Sequence, residues 1–214
     1  MLPSLRLSVE DIAIERGGRR ILERIAFSAG PGDYVEITGA NGIGKTSLLR
    51  ILAGFLKPAE GRVVMSSNFG PIPQDEQAAS VHMLGHRDGV KGPLTVTDHI
   101  RFWRGLYEGA EEEAVLDRVN LRHLADRQAR TLSAGQARRL ALSRLLIAPR
   151  PIWLLDEPAA TLDMAGRAWL LGLVSDHLAS GGVVVAAVHD PIGAMPSQRV
   201  ALGAAHAPVM AEAS

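Results

Sequence analysis

The sequence predicts an α/β domain, and three patterns along the chain support this prediction. A strand-like stretch at 34–38 is followed by a glycine-rich turn and then by a helix-like stretch at 46–53. Two strand-sized apolar runs lie further on, at 152–155 and 183–188, with helix-like sequence at 165–178 between them. Apolar runs of this length are typical of parallel strands buried on both faces, and the segment between them then serves as the crossover helix.

The other segments have weaker patterns. The first 30 residues are expected to form short strands with turns, and 62–65 predicts a further short strand. Residues 66–95 are rich in Gly, Pro, Gln and Ser and are expected to be irregular connecting structure. The apolar periodicity of about 97–148 is helical and predicts a helical insertion in the α/β core. The alanine-rich stretch at about 203–214 is expected to be a loosely held tail.

Length and composition limit the possible functions. The 214 residues fit one domain over 1–214, and the 47% hydrophobic content is enough for a substantial core. With 23 basic and 23 acidic residues the formal charge is zero, so nothing suggests the electrostatic capture on which nucleic-acid binding depends. The absence of cysteine excludes disulfides and thiolate metal sites and fits a reducing cytosol. We also expect no secretion signal and no membrane span.

The glycine-rich turn has the pattern of a phosphate-binding loop, Gly-x4-Gly-Lys-Thr between a strand and a helix. Its glycines allow backbone N–H groups to wrap around phosphates, and Lys45 brings a positive charge to the β- and γ-phosphates. Thr46 offers a hydroxyl to Mg²⁺, and the helix that opens there directs its positive end at the anion. A structural glycine turn is the alternative. The predicted nucleotide-binding residues of this segment are Gly39, Ala40, Asn41, Gly42, Ile43, Gly44, Lys45, Thr46 and Ser47.

Three further motifs follow in the chain. The apolar run 152–155 ends in Asp156-Glu157, of which the first acid can hold Mg²⁺ through water and the second can orient or deprotonate the attacking water. His189 follows the run 183–188, at the strand end where α/β sheets place ligand chemistry. Each has an ordinary structural alternative. The third motif is Leu132-Ser133-Ala134-Gly135-Gln136, which is either a simple helix cap or a helix start directed at a γ-phosphate.

In this order, the segments GANGIGKT, LSAGQ, IWLLDEP, ATLD and VHD resemble the ATPases of ATP-binding-cassette (ABC) transporters, over about residues 5–200. The resemblance implies a P-loop NTPase core with an N-terminal antiparallel β subdomain and an inserted α-helical subdomain. It implies ATP hydrolysis with Mg²⁺ as cofactor. It also implies that two copies of the chain sandwich two nucleotides head to tail.

The resemblance assigns roles to single residues. Lys45, Glu157 and His189 would form the catalytic set, with Glu157 as the base and His189 reaching the γ-phosphate. Thr46 and Asp156 would hold Mg²⁺, the latter through water. Asp163 would lie in a loop that couples the two sites. The signature residues would act in trans, on ATP held by the second copy: Leu132, Ser133, Ala134, Gly135 and Gln136.

Some positions depart from the common ABC pattern. His86 stands where many members have a glutamine that senses Mg²⁺ and contacts the membrane subunits; as a neutral ring it is a possible metal neighbour. Arg16 stands where many have an aromatic residue that stacks on adenine, and a guanidinium plane can stack as well. Ala134 and Ala160 replace a commoner glycine and a hydroxyl residue. None of these changes removes a catalytic group.

A narrower resemblance is to the haem exporter ATP-binding subunit of bacterial cytochrome c maturation, the CcmA family. It implies integral membrane subunits of the haem export system as partners, and hydrolysis coupled to delivery or release of haem on a chaperone. The chain would then lie peripherally on the cytoplasmic face of the bacterial inner membrane, with no nucleic-acid partner. The segments that carry it are 84–86 with 89–91 and 94–95, LSAGQARRLALSRLL, 152–158, and Gly166 with His177 before Gly181-Gly182.

Other functions remain open at this point. The chain could be the ATPase of another ABC exporter, or a soluble ABC protein, although such proteins usually have two cassettes or a long coiled coil. A non-hydrolysing binding module is disfavoured because both Asp156 and Glu157 are present. For a transporter ATPase, Phe102, Trp103 and Leu106 would dock a helix of a membrane subunit; ordinary core packing is the alternative for each.

Overall fold

Two β-sheets and a set of helices form the part of the chain that the computed structural model describes, residues 2–85, 89–107 and 110–203. The first sheet is antiparallel, with the strand order β2-β1-β4-β5. Its strands are β1 (Leu5–Arg16), β2 (Arg19–Ala29), β4 (Glu60–Ser67) and β5 (Gly70–Pro71). The strand expected at 62–65 lies within β4 and is confirmed.

The expectation of short strands in the first 30 residues is wrong. β1 and β2 have 12 and 11 residues and are joined by Gly17-Gly18, whose φ angles of 58° and 72° are those of a tight hairpin turn. The register of this pair shifts between Val9 and Ile12 and twice more. Such irregularities break the alternation of apolar and polar residues, so two long strands have the pattern of several short ones.

The second sheet is parallel, with the order β6-β7-β8-β3-β9. The strand-like stretch and the two apolar runs found in the sequence form its centre, and these predictions are confirmed. All five residues of β7 and of β8 are buried, because the sheet is covered on both faces. Its strands are β3 (Tyr34–Thr38), β6 (Val81–Leu84), β7 (Ile152–Asp156), β8 (Val183–Ala187) and β9 (Gln198–Ala201).

The segment 66–95 is not irregular throughout, and this expectation is wrong. It contains the short helix α2 (Gln74–Gln77), a 3-10 turn at Ala78–Ser80 and the edge strand β6. β6 is only four residues long and pairs with β7 alone. Its sequence Val-His-Met-Leu has a buried histidine in place of an apolar residue, so it lacks the signal of a buried strand.

The helices lie where the periodicity predicts them. α1 (Lys45–Leu52) follows the glycine-rich turn, and α7 (Met164–Ala179) connects β7 to β8. In the described ranges, none of the helices is at once long and apolar enough to cross a membrane. The helices between β6 and β7 are α3 (Val96–Tyr107), α4 (Glu112–Arg118), α5 (Ala134–Leu142) and α6 (Arg144–Ile147), with 3-10 turns at Arg122–Leu124 and Ala129–Thr131.

Three apolar clusters stabilise these layers. One lies between the two sheets around α1, and a second covers the other face of the parallel sheet beneath α5 and α7. The third lies inside the helical insertion around Val96 and Ile100. The expected helices are thus present, whereas the extent of the helical subdomain at about 97–148 and the single domain over 1–214 stay predictions. Of the expected tail, residues 204–214 lie outside the described residues.

Two buried histidines pack against this core. The ring of His177 stacks on Trp153 with 3.7 Å between ring centroids, and its Nε2 lies 3.2 Å from the Pro151 carbonyl. His82 lies in β6, with Nε2 2.8 Å from the Ala148 carbonyl. Burial removes water from both imidazoles, which lowers the pKa of each from 6.5 to about 4. Both rings are therefore neutral at physiological pH.

We expect this burial to make the fold sensitive to acid. Because the folded-state pKa is the lower one, protons bind the unfolded chain more tightly, and stability falls as the pH drops from about 6.5 to about 4. Each histidine contributes at most about 1.4 kcal/mol per pH unit in that window. His177→Phe keeps a ring against Trp153 but cannot titrate, so its free energy of unfolding should depend less steeply on pH.

Urea denaturation of both proteins between pH 7 and pH 5 measures the two slopes. Equal slopes would contradict the assignment to His177, whatever the absolute stability of the variant.

Candidate active site

The carboxyl ends of β7 and β8 and the start of α1 surround a cleft of about 490 Å³. Most residues that the sequence predicts for nucleotide binding and catalysis line it, together with Ile21 and Ala160. These predicted residues are Arg16, Asn41, Gly42, Gly44, Lys45, Thr46, Ser47, Asp156, Glu157 and His189. Segments far apart in the sequence thus meet because neighbouring parallel strands end at the same edge of the sheet.

The loop between β3 and α1 depends on glycine at specific positions. Gly39 and Gly44 have φ angles of 144° and 115°, which side chains rarely adopt. A Cβ on Gly39 would lie 2.9 Å from the Leu202 carbonyl, and one on Gly44 would lie 3.0 Å from a Leu22 methyl group. Gly44 is also the N-cap of α1, where no side chain caps the helix. The first backbone N–H groups of α1 therefore lie beside the cleft.

Lys45 is held against the loop by its own ammonium group. Only 7% of the residue is exposed, and Nζ donates to the carbonyl of Gly39 at 2.7 Å and to that of Ala40 at 3.4 Å. Gly39, Ala40 and Ile43 belong to the predicted loop but do not line the cleft. Ile43 instead packs against the core between the sheets. The positive charge of Lys45 is therefore fixed at the wall of the cleft.

A hydroxyl and a carboxylate meet at the floor of the cleft. The Thr46 hydroxyl donates to Oδ2 of Asp156 at 2.7 Å. Asp156 is the last residue of β7 and is only 2% exposed. Mg²⁺ binds oxygen ligands and keeps several of its waters. The hydroxyl oxygen of Thr46 and the carboxylate of Asp156 are ligands of this kind and fit the cation.

Glu157 lies one residue beyond β7, in an unusual backbone conformation with φ 48°. Its N–H donates to the Ala187 carbonyl at 2.9 Å, and its Oε2 accepts from the backbone N–H of His189 at 3.1 Å. The imidazole of His189 is 71% exposed, with Nδ1 3.5 Å from an oxygen of Asp190. The structure thus brings Glu157 and His189 together, through the histidine backbone.

The signature segment lies outside this cleft. Ser133 caps α5 in a capping box: its hydroxyl accepts from the Gln136 N–H at 3.2 Å, and its own N–H donates to Gln136 Oε1 at 2.9 Å. Ser133 to Gln136 share a separate depression of about 540 Å³ with Thr161 and Asp163. Asp163 in turn caps α7, accepting from the Gly166 N–H at 2.7 Å. His86, predicted for the coupling loop and as a possible metal neighbour, lies outside the described residues.

The residues of α3 that the sequence predicts for docking divide between two environments. Phe102 and Leu106 are 60% and 59% exposed, as a docking surface requires. Trp103 packs against the core of the helical insertion and stacks on Tyr107, with 5.8 Å between ring centroids. Core packing is thus the better interpretation for Trp103.

Sequence reasoning missed one residue of this region. Arg138 on α5 is 2% exposed, and its guanidinium donates to the backbone carbonyls of Asp156 and Glu157. Its position beside Arg139, the other charged residue of α5, carries no signal that separates it from a surface arginine. A contact between residues so distant in the sequence becomes visible only in the fold.

Comparison with known proteins agrees with this geometry. The family model described as ABC transporter matches residues 22–160. The cytochrome c biogenesis ATP-binding export protein CcmA of Rhodopseudomonas palustris (strain HaA2) is 45% identical over 203 residues, which cover 94% of this chain and 100% of that protein. The chain belongs to the ABC transporter family, in its CcmA branch. The CcmA protein of Paracoccus denitrificans is 41% identical over 92% of this chain and 89% of its own length.

Solved ABC structures share the fold. An ABC transporter ATP-binding protein from Pyrococcus furiosus aligns with a TM-score of 0.77 and 24% identity, covering 92% of this chain and 97% of that one. A dimeric post-hydrolysis ATP-binding cassette bound to ADP and phosphate aligns with a TM-score of 0.74 and 22% identity, covering 92% and 94%. The predicted fold class and the assignment as an ABC-type ATPase are confirmed.

Proposed function

We propose that this ABC ATPase is the nucleotide-binding subunit of the membrane exporter that serves haem delivery in cytochrome c maturation. The observation that carries the proposal is its 45% identity, over nearly the whole chain, to a cytochrome c biogenesis export protein. The cleft at the end of β7 and β8 supports it, because Lys45, Glu157 and His189 line it. The ATPase of another ABC exporter is the second candidate, since no residue identifies the transported substrate.

In this proposal the phosphates of ATP lie over the glycine-rich loop. The free N–H groups at the start of α1 and the ammonium of Lys45 offset their negative charge. Thr46 and Asp156 would hold Mg²⁺, the aspartate through water, and the cation would neutralise charge on the β- and γ-phosphates. Arg16 lies at the rim of the cleft, where its guanidinium plane can stack on adenine.

Hydrolysis then needs a base and fixed charge around the γ-phosphate. Water attacks the γ-phosphorus, Glu157 accepts a proton from that water, and the bond to the bridging oxygen of ADP breaks. Glu157 is suited to this role because its carboxylate is held by the backbone N–H of His189. Lys45 and the exposed imidazole of His189 would stabilise the charge that develops on the phosphate oxygens.

The proposed assembly contains a second copy of the chain and integral membrane subunits of the haem export system. Ser133 and Gly135 lie outside their own nucleotide cleft, which supports their acting on ATP held by the other copy. Asp163 shares their depression and would couple the two sites there. The exposed apolar residues of α3, Phe102 and Leu106, would contact a membrane subunit, with the chain peripheral on the cytoplasmic face of the bacterial inner membrane.

We expect Lys45→Ala to lose ATP affinity and ATPase activity together. A charged hydrogen-bond donor to phosphate contributes about 1.5–3 kcal/mol, so affinity should fall by about ten- to a hundredfold. Isothermal titration with Mg-ATP measures the affinity, and phosphate release measures the activity. Wild-type affinity in this variant would overturn the assignment of the loop.

Glu157→Gln should separate binding from hydrolysis. The amide keeps the size of the side chain but cannot accept the proton, so turnover should fall by about 10²–10⁴-fold while ATP still binds. Size-exclusion chromatography with Mg-ATP should show a long-lived nucleotide-bound dimer. Unimpaired turnover would refute the role of Glu157 as base.

The haem-export proposal is tested in cells. A bacterium that lacks its own copy of this gene should make little haem-bound cytochrome c, and the wild-type chain should restore it. The Glu157→Gln variant, expressed at the same level, serves as the control for the requirement for hydrolysis. Normal amounts of haem-bound cytochrome c in the deletion strain would contradict the proposal and favour another exporter.

A further inference from the structure

One buried arginine binds the backbone of the catalytic turn at several points. Nη2 of Arg138 donates to the carbonyl of Glu157 at 2.7 Å and to that of Asp156 at 3.0 Å. Its Nε donates to the Pro158 carbonyl at 3.2 Å, and its Nη1 reaches the Gly85 carbonyl, just beyond β6, at 3.3 Å. The same side chain therefore connects α5, the turn after β7 and the end of β6.

The chemistry of this contact requires arginine. A buried charge is costly unless nearby groups replace the water it loses, and four carbonyl oxygens do so here. The guanidinium is planar and directs its N–H donors in fixed directions, so it can serve several carbonyls at once. A lysine at position 138 would offer one compact charge, and a glutamine only two donors.

The turn at Glu157 needs such support. A positive φ in a residue other than glycine is strained, and it persists only where the surroundings fix it. Besides the bond from its N–H to Ala187, its carbonyl accepts from Arg138 and from the Ala160 N–H at 3.1 Å. The backbone fixes the direction of the side chain, so these bonds also determine where the Glu157 carboxylate lies.

We propose that Arg138 is a positioning residue for hydrolysis, which fixes the turn that carries Glu157 and links it to the signature helix. The inference rests on the proposed role of Glu157 as the base. Because α5 begins right after Ser133, movement of the signature segment reaches Glu157 of the same chain through Arg138. The bond to Gly85 extends this link toward His86, the residue proposed to contact the membrane subunits.

The test compares Arg138→Gln and Arg138→Lys with the wild-type chain. The ATP dissociation constant and KM should stay within about twofold, because Lys45 and Thr46 lie on another element. The kcat should fall on the order of 10²-fold for glutamine, since small misplacements of a catalytic group have effects of that size. Lysine should restore part of the loss. Arg118→Gln, an exposed arginine on α4, is the control and should hydrolyse normally.

Rates are expressed per molecule that binds ATP, which removes any loss through misfolding. A purely structural role predicts a lower melting temperature with normal kcat per bound ATP, and that result would overturn the proposal.

A double variant tests whether Arg138 acts through Glu157. If it does, adding Arg138→Gln to Glu157→Gln should not lower the single-turnover rate further, because the group it positions is already gone. If the two substitutions lower the single-turnover rate by the product of their separate effects, Arg138 acts independently of Glu157 and the inference is wrong. Normal hydrolysis by Glu157→Gln alone would instead disprove the proposed base. The two failures are therefore distinguishable.

Discussion

The active site depends on the common register of three buried parallel strands. β7 pairs with β8 and β8 with β3, so Asp156 lies opposite Ala187, and Ala187 in turn lies opposite Ile37, just before the glycine-rich loop. This edge unites groups that the chain separates by more than a hundred residues, such as Thr46 and Asp156 with their 2.7 Å hydrogen bond. Since apolar clusters cover both faces of the sheet, no strand can slip without exposing its core residues.

Strained backbone and buried charged groups are concentrated at this edge of the sheet, and hydrogen bonds offset the cost of each. The ammonium of Lys45 is satisfied by loop carbonyls, and the guanidinium of Arg138 by those of the catalytic turn. The positive φ of Glu157 is held by bonds to both its N–H and its carbonyl. The protein itself therefore holds these groups in fixed orientations, which is the condition under which fixed charges stabilise a transition state.

Local patterns predicted most of the residues that line the cleft, because each motif combines a strand end with the residue that follows it. The glycine-rich loop and the Asp156-Glu157 pair could be placed from the sequence for this reason. The β6 strand and the long hairpin of β1 and β2 could not, since an edge position and irregular register remove the apolar pattern. Arg138 was missed for a different cause: its partners lie near residues 85 and 156–158, and only the fold brings them to it.

Different parts of the structure hold the glycine-rich loop and the turn that carries Glu157. The loop that would bind phosphate is held by the Lys45 ammonium on two of its carbonyls, and the Thr38 carbonyl before it accepts from the Leu202 N–H at 2.8 Å. The turn that carries Glu157 is fixed by α5, a helix of the insertion that also begins with the signature segment. A shift of the insertion relative to the sheet would therefore disturb the base while leaving the loop intact. Under the proposed role of Glu157, the position of the insertion would therefore control hydrolysis without changing ATP binding.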